Sequence, residues 1–242
     1  MSIEGHRISV GGLDVEVVRK PIKNLHLGVY PPNGRIRVAA PFGVSDEAVR
    51  LAVVTRMGWI KRQQLKFETQ SRQSGRSYVS GESHFFFGQR YRLNVIDGAP
   101  AGHVELRNSR TLDLHVRKGS DRATRERVFQ AWYRAELRSR AAPFVASWAD
   151  ACGVDLPQWG IKRMKTKWGN CNIEAKRIWL NLELVKKPPQ CLEYVIVHEL
   201  VHFFERNHTD RFVALLDQKL PHWRSIRDEL NSAPLAQEEW DT

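Results

Sequence analysis

The spacing of three histidines towards the C-terminal end constrains the fold of this chain more than any other sequence feature. His198 and His202 are four residues apart in the segment His-Glu-Leu-Val-His, and His208 follows six residues later. On an α-helix, residues four apart lie about 40° from each other around the axis and one turn apart along it. A continuous helix would carry His208 about 240° further round than His202. The three imidazoles therefore meet if the chain turns back after His202.

The residues around these histidines predict helices on both sides of such a turn. A Pro-Pro pair at 188–189 precedes an apolar segment, and proline is tolerated at the start of a helix because its missing N–H would have no partner there. Asn207 tolerates the left-handed conformation that a turn often requires. Thr209 has the character of an N-cap for a second helix over residues 210–220, which Pro221 ends.

The chemistry of these side chains predicts a catalytic metal site. Three neutral imidazoles bind zinc and leave a fourth position open, as catalytic zinc sites do. Glu199 would lie beside a metal-bound water, where a carboxylate can take the proton. We therefore predict that His198, His202 and His208 are the metal ligands, that Zn²⁺ is the cofactor and that Glu199 is the general base. A closed, structural zinc site is the alternative.

Residues 1–120 predict a β-rich domain of hairpins plus a helix. Turn residues at 11–12 and 31–34 separate runs of alternating apolar residues, which indicates two hairpins. A helix is expected over residues 45–70 because a serine can cap it and two acidic residues follow. Strand alternation returns over residues 85–116. No internal repeat is apparent.

Residues 121–242 predict a helical domain around the metal site. The apolar period becomes helical at Asp121, and Pro143 is expected to kink or end a helix. Alternation over residues 178–184 predicts a half-buried strand beside the helix that carries the histidines. The expected fold class is therefore α+β, with this helix beside a small sheet.

Charge is unevenly distributed along the 242 residues, which carry a formal net charge of +11. Residues 1–160 contain 25 Lys and Arg against 15 Asp and Glu, whereas residues 161–242 contain 13 against 12. The basic part could bind nucleic acid or a nucleotide, or it could be an ordinary solvated surface. No apolar run is long enough for a membrane helix, and the three cysteines do not suggest a disulfide framework. We expect a cytoplasmic protein without membrane contact and leave its oligomeric state open.

Residues 188–220 resemble the YgjP-like metallopeptidase domain, a family related to the WLM and SprT-like zincins. The resemblance is carried by Tyr-Val-Ile-Val-His-Glu-Leu-Val-His at 194–202 and by Arg-Asn-His-Thr-Asp-Arg-Phe at 206–212. It extends to the strand at 178–181 and to Phe-Gly-Gln at 87–89, so it covers nearly the whole chain. The resemblance implies a zincin-like metallopeptidase domain, a zinc cofactor and the roles given above to the three histidines and the glutamate.

An element just before that strand resembles the Arg-Trp-Gly-Ser-Cys of the family, with two differences. Lys167 replaces the arginine and Asn170 replaces the serine, so a bidentate guanidinium or a hydroxyl is not available at these positions. This element could form a wall of the substrate cleft, which makes Lys167, Trp168 and Asn170 candidates for substrate binding. Alternatively, Trp168 and Cys171 lie in the core and Gly169 makes a turn.

The sequence indicates less strongly that other polar residues belong to the site. Asn181 and Glu183, on the polar face of the strand, are candidate hydrogen-bond partners for the second ring nitrogen of a ligand histidine. Cys191 lies about 10 Å upstream on the same helix and is predicted to be a core or surface thiol. His222, beside Trp223, is predicted to be structural or exposed. Four further histidines show no spacing typical of a metal site: His26, His84, His103 and His115.

The leading functional hypothesis is a zinc-dependent metallohydrolase that cleaves peptide bonds. The metal would lower the pKa of its water, Glu199 would accept the proton, and the hydroxide would attack a peptide carbonyl. One alternative is a metal-dependent nucleotide pyrophosphatase or phosphohydrolase, with the basic part gathering the nucleotide. Another is a DNA-associated protease whose basic part binds nucleic acid. Zinc acting purely as a structural element is the non-enzymatic alternative.

Overall fold

Eleven strands, six α-helices and one 3-10 helix form the described part of the chain, residues 5–30, 33–69, 76–164 and 167–232 of a computed structural model. The predicted α+β class is confirmed. Predicted features at Pro31, Pro32, Gln70 and residues 71–75 lie outside the described residues. No helix in the described ranges is long and apolar enough to cross a membrane.

The first compact unit, Met1–Arg72, contains a four-stranded sheet followed by two helices. The elements are β1 (Gly5–Val10), β2 (Leu13–Lys20), β3 (His26–Tyr30), β4 (Arg35–Pro41), α1 (Asp46–Thr55) and α2 (Met57–Thr69). Both predicted hairpins are confirmed, because β1 pairs antiparallel with β2 and β3 with β4. Strands β2 and β4 are parallel neighbours, which gives the order β1-β2-β4-β3.

The helix predicted over residues 45–70 is in fact two helices. Ser45 caps α1 as predicted, because its hydroxyl accepts a hydrogen bond from the Ala48 N–H at 3.3 Å. The last residues of α1 are Val-Val-Thr, and three β-branched residues in succession lose side-chain freedom in a helix. Arg56 ends α1 with a tight turn in which its N–H donates to the Val53 carbonyl at 3.1 Å.

The second unit, Gln73–Thr242, begins with a sheet of the same topology as the first. Its strands are β5 (Ser83–Phe86), β6 (Gln89–Asp97), β7 (His103–Asn108) and β8 (Thr111–Val116). Their order is β5-β6-β8-β7, again with two antiparallel outer pairs and a parallel central pair. The two sheets thus repeat one strand arrangement although no repeat is apparent in the sequence.

The boundary between the units differs from the division predicted after residue 120, which falls inside the second unit. The apolar face of the β5–β8 sheet is buried in one core with helix α3 (Arg122–Cys152), so the sheet cannot be separated from the helices that follow it. Helix α3 is capped by Asp121 as predicted. It continues through Pro143, so the proline does not end it.

The apolar helix α4 (Pro189–Val201) lies among the last elements of the chain. The others are β9 (Gln158–Lys162), β10 (Gly169–Asn172), β11 (Arg177–Asn181), the 3-10 helix Leu182–Lys186, α5 (Asp210–Lys219) and α6 (Trp223–Ser232). Strands β10 and β11, the 3-10 helix, α5 and α6 all pack against α4. The sheet order is β10-β11-β9, so β10 is an edge strand. The strand predicted over residues 178–184 ends at Asn181, because the Asn181 side chain accepts from the Glu183 N–H at 3.2 Å and starts the 3-10 helix.

Candidate active site

The chain turns back after α4, as the position of the third histidine requires. Helix α4 ends at Val201, and Thr209 caps α5 by accepting from the Phe212 N–H at 3.4 Å, which confirms the predicted second helix. The left-handed conformation expected at Asn207 is wrong, since that residue has no positive φ. The turn is held instead by the Glu205 carboxylate, which accepts from the Asn207 N–H at 3.2 Å.

The turn brings three imidazoles together. The ring centroids of His198, His202 and His208 lie 4.9 to 5.0 Å apart in all three pairs. The Nε2 atoms of His198 and His208 are 3.0 Å apart. One nitrogen from each ring lies within 4.8 Å of the others, so the three side chains could hold a metal ion. The Phe212 ring packs against all three imidazoles, with centroids 4.7 to 4.9 Å away.

Two of the imidazoles are held by contacts to their Nδ1 atoms. The Nδ1–H of His202 donates to the Glu205 carbonyl at 3.1 Å, and the Tyr194 Oη lies 3.5 Å from the His198 Nδ1. A ligand histidine usually has its second ring nitrogen engaged in this way, which fixes the tautomer. Here the arrangement leaves both Nε2 atoms available to a metal ion.

Burial keeps these imidazoles neutral. It lowers the pKa of His198 to about 3, with a further contribution from the neighbouring rings of His202 and His208. Burial also lowers the pKa of His202. A neutral imidazole presents the lone pair that a metal ion requires, so burial favours the form of His198 and His202 that can bind one.

Glu199 lies on the same helix and is 5% exposed. Burial raises the pKa of its carboxyl to about 8, an effect that the positive charge of Lys167 partly opposes. Strand β10 passes directly over this side chain at Gly169. A Cβ atom at Gly169 would lie 2.8 Å from the Glu199 Cδ, closer than real Cβ contacts allow. Glycine is therefore the residue that lets β10 and the carboxylate approach each other.

An open cavity of about 950 Å³ contains the three histidines and Glu199. The candidate substrate-binding residues Lys167, Trp168 and Asn170 all line it, together with Gly169 and Cys171. Trp168 and Cys171 are partly buried, and both pack against the core of the second unit while lining the cavity. Gly169 is the first residue of β10 and not part of a turn. Further lining residues include Tyr194, Arg206, Asn207, Arg227 and Asn231.

Asn181 and Glu183 were candidate partners for the ring nitrogens of the histidines, but in the structure each has other partners. Asn181 is fully buried, and its Nδ2 donates to the carbonyls of Met164 and Lys167 at 2.8 Å each. Glu183 instead pairs with Lys186, with an Nζ to Oε2 distance of 2.6 Å. Asn181 thus fixes the backbone of Lys167 at the edge of the cavity, and the ring contacts come from Tyr194 and Glu205.

The fold and the site define a protein whose imidazoles can bind a metal ion beside a buried carboxylate. The sequence matches the model of the YgjP-like metallopeptidase domain over residues 23–233, and the chain therefore belongs to this family. Among curated proteins, none matches the chain.

Two solved structures are similar to part of the chain. The metallopeptidase zymogen abylysin of Pyrococcus abyssi is 18% identical, with a TM-score of 0.35, over 37% of this chain and 90% of its own. The metallopeptidase zymogen jannalysin of Methanocaldococcus jannaschii is 24% identical, with a TM-score of 0.35, over 38% of this chain and 87% of its own.

The contact between Tyr194 and His198 predicts that Tyr194→Phe weakens metal binding. The variant keeps the ring stacked on Trp223 but removes the hydroxyl that faces the His198 Nδ1. We expect the zinc affinity to fall about tenfold, because partners of ligand histidines typically contribute that much. Zinc competition with a chromophoric chelator measures the change.

Tyr91→Phe is the matched control, since the Tyr91 hydroxyl contacts Gln89 and its ring is similarly buried. An equal loss of zinc affinity in both variants, or no loss in Tyr194→Phe, would contradict the assigned contact.

Proposed function

We propose that this chain is a zinc-dependent metallopeptidase in which His198, His202 and His208 hold the metal and Glu199 is the general base. The observation that carries the proposal is the convergence of three imidazoles beside a buried carboxylate in one open cavity. Membership of the YgjP-like metallopeptidase family supports it.

The donor set fits zinc. Imidazole nitrogens are common zinc ligands, and three protein ligands are typical of sites that retain an open position for catalysis. The neutral state of His198 and His202 favours metal binding, since no proton has to be displaced from them near neutral pH. Bound zinc supplies Lewis-acid chemistry by lowering the pKa of water and polarising a substrate carbonyl.

Glu199 moves the proton. Its carboxylate accepts a proton from the attacking water and then gives it to the departing amine nitrogen of the cleaved peptide bond. A general base works best when its pKa lies near the working pH, and burial moves the pKa of Glu199 in that direction, to about 8. Gly169 allows the carboxylate to remain in this buried position.

The edge strand β10 favours a peptide as the substrate. It lines the cavity over Gly169–Asn172, and its partner β11 occupies its other side. An edge strand presents unpaired N–H and C=O groups that can bind an extended peptide as an additional strand. The cavity volume of about 950 Å³ is also sufficient for several side chains.

The two other functional hypotheses lead to different substrates and are tested with the same protein. A metal-dependent phosphohydrolase would release phosphate or pyrophosphate from nucleoside triphosphates in a chelator-sensitive reaction. A DNA-associated protease would bind DNA through the basic residues 1–160, with an affinity that falls steeply as salt increases. Our proposal predicts chelator-sensitive cleavage of casein and no release of phosphate.

The assigned base predicts that Glu199→Gln inactivates the enzyme without releasing zinc. Loss of a general base lowers kcat by about 100-fold to 10,000-fold, whereas the three imidazoles are unchanged. Casein cleavage and zinc content measure the two effects. Glu193→Gln on the same helix is the matched control, because glutamine retains an oxygen to accept from the Trp148 Nε1–H. Full activity in Glu199→Gln would refute the proposed base.

The close approach at β10 predicts that Gly169→Ala lowers kcat while the chain remains folded. The added methyl group would lie 2.8 Å from both the Cγ and the Cδ of Glu199, so the side chain has to move and takes the carboxylate with it. We expect kcat to fall about 100-fold, as displacements of about 1 Å can do, with zinc content unchanged. The control is Gly43→Ala, where a Cβ has no neighbour within 4 Å. Unchanged kcat in Gly169→Ala would show that Glu199 does not act from this position.

A further inference from the structure

The β7–β8 hairpin places two histidines and a glutamate on one face of the second sheet. His103 and His115 are direct partners in the antiparallel register. Glu105 follows His103 by two residues, so it lies on the same side of β7. The opposite face of the hairpin packs into the core through Val104 and Leu114, which leaves this face towards solvent.

The three side chains lie near one another on this face. The rings of His103 and His115 are stacked with centroids 4.3 Å apart and planes within 3° of parallel. The Glu105 Oε1 lies 3.1 Å from the His115 Nε2. One ligating atom from each of the three residues lies within 4.8 Å of the other two. Two atoms that each bind an ion at about 2 Å lie at most about 4 Å apart, and an imidazole lone pair lies in the plane of its ring. Binding one ion therefore requires the side chains to move closer and the two stacked rings to turn out of parallel, which their position on a solvent-facing surface allows.

The Glu105 carboxylate contacts His115, whereas the neighbouring arginine on β7 pairs with a different carboxylate. The nearest cation along β7 is Arg107, whose Nε donates to the Asp113 Oδ2 at 2.6 Å. Asp113 also accepts from the Asn94 Nδ2 at 2.9 Å. The positive charge of Arg107 is thus engaged with Asp113, while Glu105 contacts His115.

We propose that His103, Glu105 and His115 form a second metal site for a divalent transition ion such as Zn²⁺, Ni²⁺ or Cu²⁺. Two imidazoles and one carboxylate suit these ions, whereas Mg²⁺ and Ca²⁺ prefer oxygen ligands alone. The site goes beyond the proposed peptidase function and does not depend on it. Because β7 is the edge strand of its sheet, a bound ion would join this edge to its neighbour β8.

The test is a zinc titration of the full chain after removal of metal, in competition with a chromophoric chelator. The wild type binds a tight and a weaker equivalent of Zn²⁺ if both sites exist. His103→Gln and His115→Gln each abolish the weaker equivalent and retain the tight one. The double variant His198→Gln/His202→Gln does the opposite, which separates failure of this proposal from failure of the proposed active site.

His26→Gln is the control for loss of an exposed histidine, and it retains both equivalents. A second measurement is hydrogen exchange, in which saturating Zn²⁺ slows the backbone amides of β7 in the wild type but not in His103→Gln. The proposal is overturned if the wild type lacks the weaker equivalent, or if His103→Gln and His115→Gln both retain it. In those cases the stacked rings and the Glu105 contact form an ordinary cross-strand cluster.

Discussion

Burial of helix α4 is the constraint on which the rest of the site depends. The helix is apolar on most sides, with Leu192, Ile196 and Leu200 fully buried, and it carries His198 and Glu199 into the same surroundings. Removal from water penalises a charged imidazole and a charged carboxylate alike. Burial therefore favours the neutral histidine and makes the carboxylate more basic, so one packing arrangement suits both the metal ligand and the proton acceptor that we propose.

Three elements packed around α4 carry residues whose contacts suit this arrangement. Strand β10 can pass over the carboxylate because its first residue is Gly169. Helix α5 brings Phe212 against the imidazoles, and α6 brings Trp223, whose ring stacks on Tyr194 with an interplanar angle of 8°. Tyr194 in turn faces His198. Aromatic side chains from α4, α5 and α6 thus support the arrangement of the three imidazoles.

The convergence of the three histidines could be predicted because His208 can reach the other two only if the chain turns after His202, and the capping residue Thr209 marks where the next helix starts. Tyr194 lies one helical turn before His198, so the spacing could also have predicted that the two side chains are neighbours. Contacts between distant segments could not be predicted. The apolar alternation does not show that Asn181 ends its strand and holds the Met164 and Lys167 carbonyls. Nor does sequence spacing reveal that His103 faces a second histidine, since strand register decides this.

A crystal structure of the purified chain with anomalous data at the zinc absorption edge tests the central claim most directly. The account predicts a peak about 2.0–2.1 Å from one nitrogen each of His198, His202 and His208, with a fourth position open to the cavity near Glu199. A peak surrounded by four protein ligands would indicate a structural zinc site. Active crystals without a peak at these histidines would contradict the account.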